Sequence, residues 1–171
     1  ANGEPKRFAA FPYPVIADTI TGNVGPLAGV LAGMRWTEAN VPSAKWIVTV
    51  STDAPFLPDD LVVRLLDGIE SNSEPAQIIL AASDGKLHPV IGLWPVALAD
   101  DLDQHLQDGV RKVLAWTDRH GTAAVSFGPM MLGDRTVDPF FNVNTPEDMA
   151  AAAELLTGGR PIAGSSKERQ P

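Results

Sequence analysis

The stretch Trp46-Ile47-Val48-Thr49-Val50 constrains this chain more than any other. It is aromatic and β-branched without a polar alternation, which reads as a strand covered on both faces of a parallel sheet. It stops at Ser51-Thr52-Asp53-Ala54-Pro55. Pro58 then opens a helix reaching about Ile69, with Asp59 and Asp60 placed against the helix dipole and Leu61, Leu65 and Leu66 as its core face. A buried strand ending in a carboxylate and followed by an amphipathic helix is the repeating unit of an α/β fold.

The rest of the chain repeats that alternation. Val15-Ile16-Ala17 reads as a short buried strand with Asp18 at its C-terminal edge, followed by a polar loop, Thr19 to Asn23. Pro26 to about Ala39 reads as a helix, because proline favours the first turn and Leu27, Val30, Leu31 and Met34 recur at helical spacing. Strands are expected at Gln77 to Ala82 and Leu87 to Trp94, the latter interrupted by Pro89, with Asp84-Gly85 as the turn between them. Helices follow at Val96 to Leu106 and Val110 to Arg119, then a strand from Thr122 to Phe127 and a short extended run from Thr136 to Phe141. Thr145 caps a last helix from Pro146 to about Leu156. The expectation is one Rossmann-like α/β domain over residues 1–157, mostly parallel, with helices on both faces. A Gly- and Ser-rich disordered tail is expected over 158–171.

Composition narrows the function classes. A formal charge of −8 opposes broad nucleic-acid binding, which needs a basic field. No apolar run reaches the roughly 18 residues of a membrane span. The chain has no cysteine, so it has no disulfide, thiolate metal site or cysteine nucleophile, which fits a reducing cytoplasm. Ala1 opens a polar stretch leading into a short strand, so the chain reads as starting partway into a domain.

Several residues invite chemistry. Asp53 follows a strand and is held by Pro55 and Pro58, which suits a Mg²⁺ ligand shared with phosphate oxygens as well as it suits a helix cap. Gly25-Pro26-Leu27-Ala28-Gly29 bends into a helix N-terminus, either an anion seat or a plain tight turn. Arg111-Lys112 places cations at the start of a helical pattern, where the dipole disfavours them. A phosphate partner would explain this, and so would a solvated basic pair. Asn142 and Asn144 project to one side of an extended backbone with no evident structural need. Thr145 with Asp148 makes a capping-box-like start. His88, before Pro89, reads first as a hydrogen-bonding residue. His105 and His120 read as helix-surface residues, and Ser51 has no identifiable base.

In order and spacing these segments, with Ser51 to Pro58, His88 to Trp94 and Phe141 to Asp148, resemble the molybdenum cofactor guanylyltransferases, MobA-type members of the nucleotidylyltransferase fold. The resemblance implies a nucleotidyltransferase that moves GMP from GTP to molybdopterin, giving molybdopterin guanine dinucleotide and pyrophosphate. It implies Mg²⁺ on Asp53, with Asn2, Asp18 and the Gly25, Pro26 and Leu27 turn near the nucleotide. Arg111 and Lys112 would act in catalysis and, with His88, Asn142 and Asn144, face molybdopterin. GTP and molybdopterin are the implied small-molecule partners, beside other molybdenum cofactor biosynthesis proteins and molybdoenzyme chaperones.

The family's leading signature, a first strand with a Leu-Ala-Gly-Gly loop followed by Arg-Met-Gly and an Asp-Lys pair, does not occur here. The expectation is therefore that an N-terminal segment is omitted, leaving an unpaired sheet interior. The alternatives are a molybdopterin cytidylyltransferase or related nucleotidylyltransferase, and a non-catalytic molybdopterin-binding module.

Overall fold

A computed structural model describes residues 8–18, 25–71 and 77–157. Asn2, the Thr19 to Asn23 loop and the 158–171 tail lie outside the described residues. The elements run α1 (Pro26–Asn40), β1 (Trp46–Thr49), α2 (Leu61–Glu70), β2 (Ile78–Ser83), β3 (Lys86–Pro95), α3 (Ala99–Gln107), α4 (Val113–Thr117), β4 (Thr122–Phe127), β5 (Met130–Leu132), β6 (Arg135–Val137) and α5 (Pro146–Thr157). A single 3-10 turn, Val96–Leu98, joins β3 to α3.

The main sheet has the order β1-β3-β2-β4, and β5 with β6 forms a separate hairpin. β2 pairs parallel with β4, whereas β3 lies antiparallel to both β1 and β2. Three strands therefore point one way and β3 runs against them, so the expected parallel character holds in part, in the β2–β4 pairing and the shared direction of β1, β2 and β4, and fails at β3. The reversal has a local cause. Asp84 and Gly85 both adopt positive φ, 46° and 72°, and close a two-residue turn that folds β3 straight back on β2. Pro89 fits because the β2–β3 register jumps from Leu80↔Gly92 to Ala81↔His88, so no ladder bond is asked of a residue lacking an N–H.

Every residue of β2 is buried, and its side chains alternate between two cores. Ile78 and Leu80 join Trp94 beneath α1, α3 and α4. Ile79 and Ala81 join Ile91, Leu93, Phe127 and Phe140 beneath α2. At roughly 25 cal/mol per Å² of apolar surface, this two-sided burial dominates the fold's stability. The result is a three-layer α/β domain with the C-terminal ends of β1, β2 and β4 at one rim.

Other expectations change. β1 is an edge strand, half-buried throughout, since it pairs only with β3 among the described residues. Val15-Ile16-Ala17 is irregular, because no neighbouring strand receives it there; Val15 is exposed. Pro58 precedes the helix it was expected to open, with a turn at Asp59 and Asp60 before Leu61. Leu66 faces solvent, one residue past the Leu61–Leu65 stripe. The 110–119 helix contracts to α4, leaving Arg111 and Lys112 in the loop before it.

Candidate active site

Two adjoining clefts lie over the β1 rim. One, of about 440 Å³, is lined by Pro26, Gly29 and Val30 of α1, by Thr49 to Thr52, and by Val90. The other, also about 440 Å³, is lined by Pro26, Pro89, Val90, Lys112, Val113 and Leu114. Pro26 and Val90 belong to both, so α1, the β3 irregularity and the loop before α4 meet at one place. Gly25 fixes that meeting. Its φ of 77° turns the chain into the helix, and an added Cβ would stand 3.6 Å from the Arg111 carbonyl oxygen.

The first turn of α1 has no side-chain cap and no acidic residue. Its N–H groups and the positive end of the dipole are therefore available to an anion from the cleft. Leu27 is fully buried in the core, so its side chain cannot meet a ligand and only its backbone could. Lys112 has no ion-pair partner among the described residues and places an exposed positive charge at the same mouth.

Asp53 is half-buried just beyond β1. Its Oδ1 accepts a hydrogen bond from the Ser51 hydroxyl. Its carbonyl oxygen accepts from Val143 N–H at 2.8 Å. Asp53 does not cap α2: the N-cap position there is Asp60, and no side chain bonds the helix start. The backbone bond brings the 141–145 segment alongside Asp53, with Phe141 and Val143 half-buried and Asn142 and Asn144 exposed, as alternation requires. Both asparagine side chains lack hydrogen-bond partners among the described residues. Beyond them the capping box is complete. Asp148 accepts from Asn144 and Thr145 N–H, each at 3.0 Å, and its own N–H donates to Thr145 Oγ1 at 3.1 Å. These bonds, the Asn144 one first, hold the Asp148 carboxyl below its ordinary pKa.

No group of three or more His, Cys, Asp or Glu gathers among the described residues. Asp53 lines neither cleft, although Ser51 and Thr52 before it line the first; a lone strand-end carboxylate is a ligand type that Mg²⁺ uses together with phosphate oxygens and water.

His88 lies on β3. Its Nε2 lies 2.7 Å from Ser83 Oγ and its ring packs on Phe140 at 4.6 Å. Burial pushes its pKa down, which favours the neutral imidazole. Asp18 is half-buried at the end of the irregular N-terminal stretch.

Sequence reasoning missed the scaffold under the cleft. Thr49 Oγ1 donates to the Val90 carbonyl and accepts from Trp94 Nε1, both at 2.7 Å. Trp94 stacks on Trp116 at 6.0 Å, and Trp116 Nε1 donates to Asp101 at 2.7 Å, where His120 Nε2 also bonds at 2.9 Å. The Trp116 bond, more than the His120 contact, holds the Asp101 carboxyl below its ordinary pKa. His105 is only 4% exposed, its Nδ1 lies 3.1 Å from Arg119 Nη1, and its Nε2 has no hydrogen-bond partner among the described residues. His105 and His120 are thus parts of an α3–α4 clamp and not surface residues. No helix among the described residues is long and apolar enough to cross a membrane.

Residues 1–123 match the MobA-like NTP transferase domain family. The molybdenum cofactor guanylyltransferase of Rhodopseudomonas palustris (strain BisB5) is 49% identical over 91% of this chain and 71% of its own length. That of Nitrobacter hamburgensis is 46% identical over 93% of this chain and 74% of its own. Among solved structures, the molybdopterin-guanine dinucleotide biosynthesis protein A of Archaeoglobus fulgidus superposes with a TM-score of 0.58 at 21% identity, covering 78% of this chain and 64% of that one. A protein of Aquifex aeolicus gives 0.60 at 16% identity, covering 83% and 68%. These two similarities support the fold.

Proposed function

The chain belongs to the MobA-like NTP transferase domain family and, within it, to the molybdenum cofactor guanylyltransferases, and from that premise we propose that its β1 rim is where GMP passes from GTP to molybdopterin in the cytoplasm. The observation carrying this reading is the convergence of the uncapped α1 N-terminus, Lys112 and the Thr49 to Thr52 strand end on adjoining clefts, with the Ser51 hydroxyl tying the Asp53 carboxylate to that strand end.

A phosphate oxygen of molybdopterin attacks the α-phosphorus of GTP. The bond from that phosphorus to the bridging oxygen breaks, and pyrophosphate leaves with the electron pair. Such a transfer needs alignment and charge neutralisation and no covalent enzyme intermediate. Backbone N–H groups of Gly25 and Leu27, on either side of Pro26, take phosphate oxygens, with Asp18 and Asn2 toward the base and ribose. Arg111 and Lys112 offset the negative charge where the two phosphate-bearing substrates meet. Asn142, Asn144 and His88 hold the acceptor, His88 as a neutral hydrogen-bonding group. Asp53 would hold Mg²⁺, which supplies electrophilic neutralisation of the phosphate oxygens when bound. Other cofactor biosynthesis proteins and molybdoenzyme chaperones receive the product.

Calorimetric titration with GTP and with CTP in Mg²⁺, joined to pyrophosphate release, tests the reading. Preferential GTP binding is expected, with turnover lost by at least about a hundredfold in Asp53→Asn. Preferential CTP binding would point to a cytidylyltransferase. Unchanged pyrophosphate release in Asp53→Asn would remove Asp53 from its role.

A further inference from the structure

A separate cleft of about 310 Å³ opens at the C-terminal ends of β2 and β4, away from the two clefts over β1. Phe127, Pro129 and Val137 give it apolar walls, and Ser83, Asp84 and Asp138 stand among them. Its volume suits a small flat ligand. Its charged groups are one-sided: two carboxylates, and no lysine or arginine in the lining, beside the hydroxyls of Ser83 and Thr136. Asp138 uses Oδ1 to accept Phe140 N–H at 2.9 Å, which steadies the carboxylate and leaves Oδ2 open. Asp84 has no hydrogen bond or ion pair among the described residues. Ser83 is 4% exposed and tied to His88, so that wall is rigid.

Apolar walls with free carboxylates and no cation in the lining, the Arg64 guanidinium being stacked on the Phe127 ring, disfavour a phosphate and favour a neutral aromatic ring carrying adjacent N–H donors. A 2-amino-4-oxopyrimidine edge has this pattern, since its amino group and ring N–H can pair with the two oxygens of one carboxylate. Guanine and pterin share that edge. The chain itself links this cleft to the transfer site. The segment that begins at Asp138 reaches Val143, whose N–H bonds the Asp53 carbonyl.

We infer that this cleft seats the pterin head of the acceptor, with Asp138 taking its paired N–H donors and Asp84 assisting from the opposite turn. The inference rests on the guanylyltransferase reading, in which the nucleotide occupies the α1 side and leaves this cleft to the acceptor. The acceptor's phosphate then reaches back toward Lys112 while its ring is held by acids.

The full chain is titrated, by intrinsic ligand fluorescence, with 6-hydroxymethylpterin, which has the ring and no phosphate, and by calorimetry with guanosine and with Mg²⁺–GTP. Wild type, Asp138→Asn and Asp84→Asn are compared. The pterin is expected to bind wild type, and Asp138→Asn to raise its Kd by about tenfold or more. Mg²⁺–GTP affinity should be unchanged, which also reports that the variant is folded. Asp84→Asn should weaken pterin binding severalfold, because asparagine tolerates the positive φ there, and it decides the matter if Asp138→Asn does not fold. No pterin binding, pterin affinity indifferent to both changes, or guanosine binding that depends on Asp138 would each overturn the inference. Asp138-dependent pterin binding in a chain that releases no pyrophosphate from GTP would keep this cleft and overturn the transferase reading instead.

Discussion

Gly29 separates stability from ligand binding more cleanly than any other position. It lies inside α1, where glycine costs about 1 kcal/mol relative to alanine through backbone entropy. A Cβ built there meets nothing within 4 Å among the described residues. Gly29→Ala should therefore stabilise the fold by up to about 1 kcal/mol and raise Tm by roughly 2–4 °C. The space the methyl enters is the cleft over β1, since Gly29 lines it with Pro26 and Ser51. An anion approaching the first turn of α1 would be displaced by about 1 Å, and misplacement on that scale costs up to about a hundredfold in rate. Differential scanning calorimetry and steady-state pyrophosphate release, measured on one preparation, check both halves. The expected result is a higher Tm with KM for GTP raised about tenfold or more. A higher Tm with unchanged KM and kcat would show that no ligand contacts this helix turn, and the α1 anion seat would fall. A lower Tm would refute the open space itself.

Gly92→Ala should behave oppositely, because its Cβ would lie 2.6 Å from the Ile79 carbonyl oxygen and 2.9 Å from Leu80 Cδ2 in the middle of the sheet. A loss of about 2 kcal/mol or more is expected from urea denaturation, and a near-neutral midpoint would contradict the packing. Burial pushes His105 and His88 below the ordinary histidine pKa, so around that value the unfolded chain binds more protons than the native one. Their stability contribution is complete above the ordinary pKa of about 6.5 and is lost as pH falls below it. His105 faces Arg119 and His120, which oppose its protonation, and Asp101 and Asp108, which favour it. Urea midpoints from pH 8 to 5.5 should fall with acid and fall less in His105→Gln; an identical slope in the variant would reject the assignment.

What could be read from the chain was what local chemistry decides. Pro26 starts α1, Asp84-Gly85 turns β2 into β3, and Thr145 with Asp148 opens α5, each by contacts within a few residues. Strand direction escaped, because a hydrophobic run at Leu87 to Trp94 looks the same whichever way it is traversed, although the two-residue turn before it implied the reversal. The β5–β6 hairpin was missed because strands as short as Met130–Leu132 and Arg135–Val137 carry almost no periodicity, despite the turn glycine Gly133 between them. Asp53, Lys112 and Asn142 were visible as chemistry out of place. Asp138, Asp84 and the Asp101–His120 pair were not, since each owes its setting to side chains from distant elements.

The hydrogen bond from Val143 to Asp53 has a bearing on how the molecule comes into being. Its partners lie far apart along the chain, and bringing them together carries a loop-closure entropy that the sheet between them must first offset. On the ribosome Asp53 emerges long before Val143. The nascent domain can build its helices and the β2–β3 hairpin early, but the proposed nucleotide and acceptor sites would come into register only when nearly the whole described chain has been made. On the proposed reading, ligand binding is a property of the finished domain, and translation stalled before Val143 should yield a chain with much of its sheet and no working site.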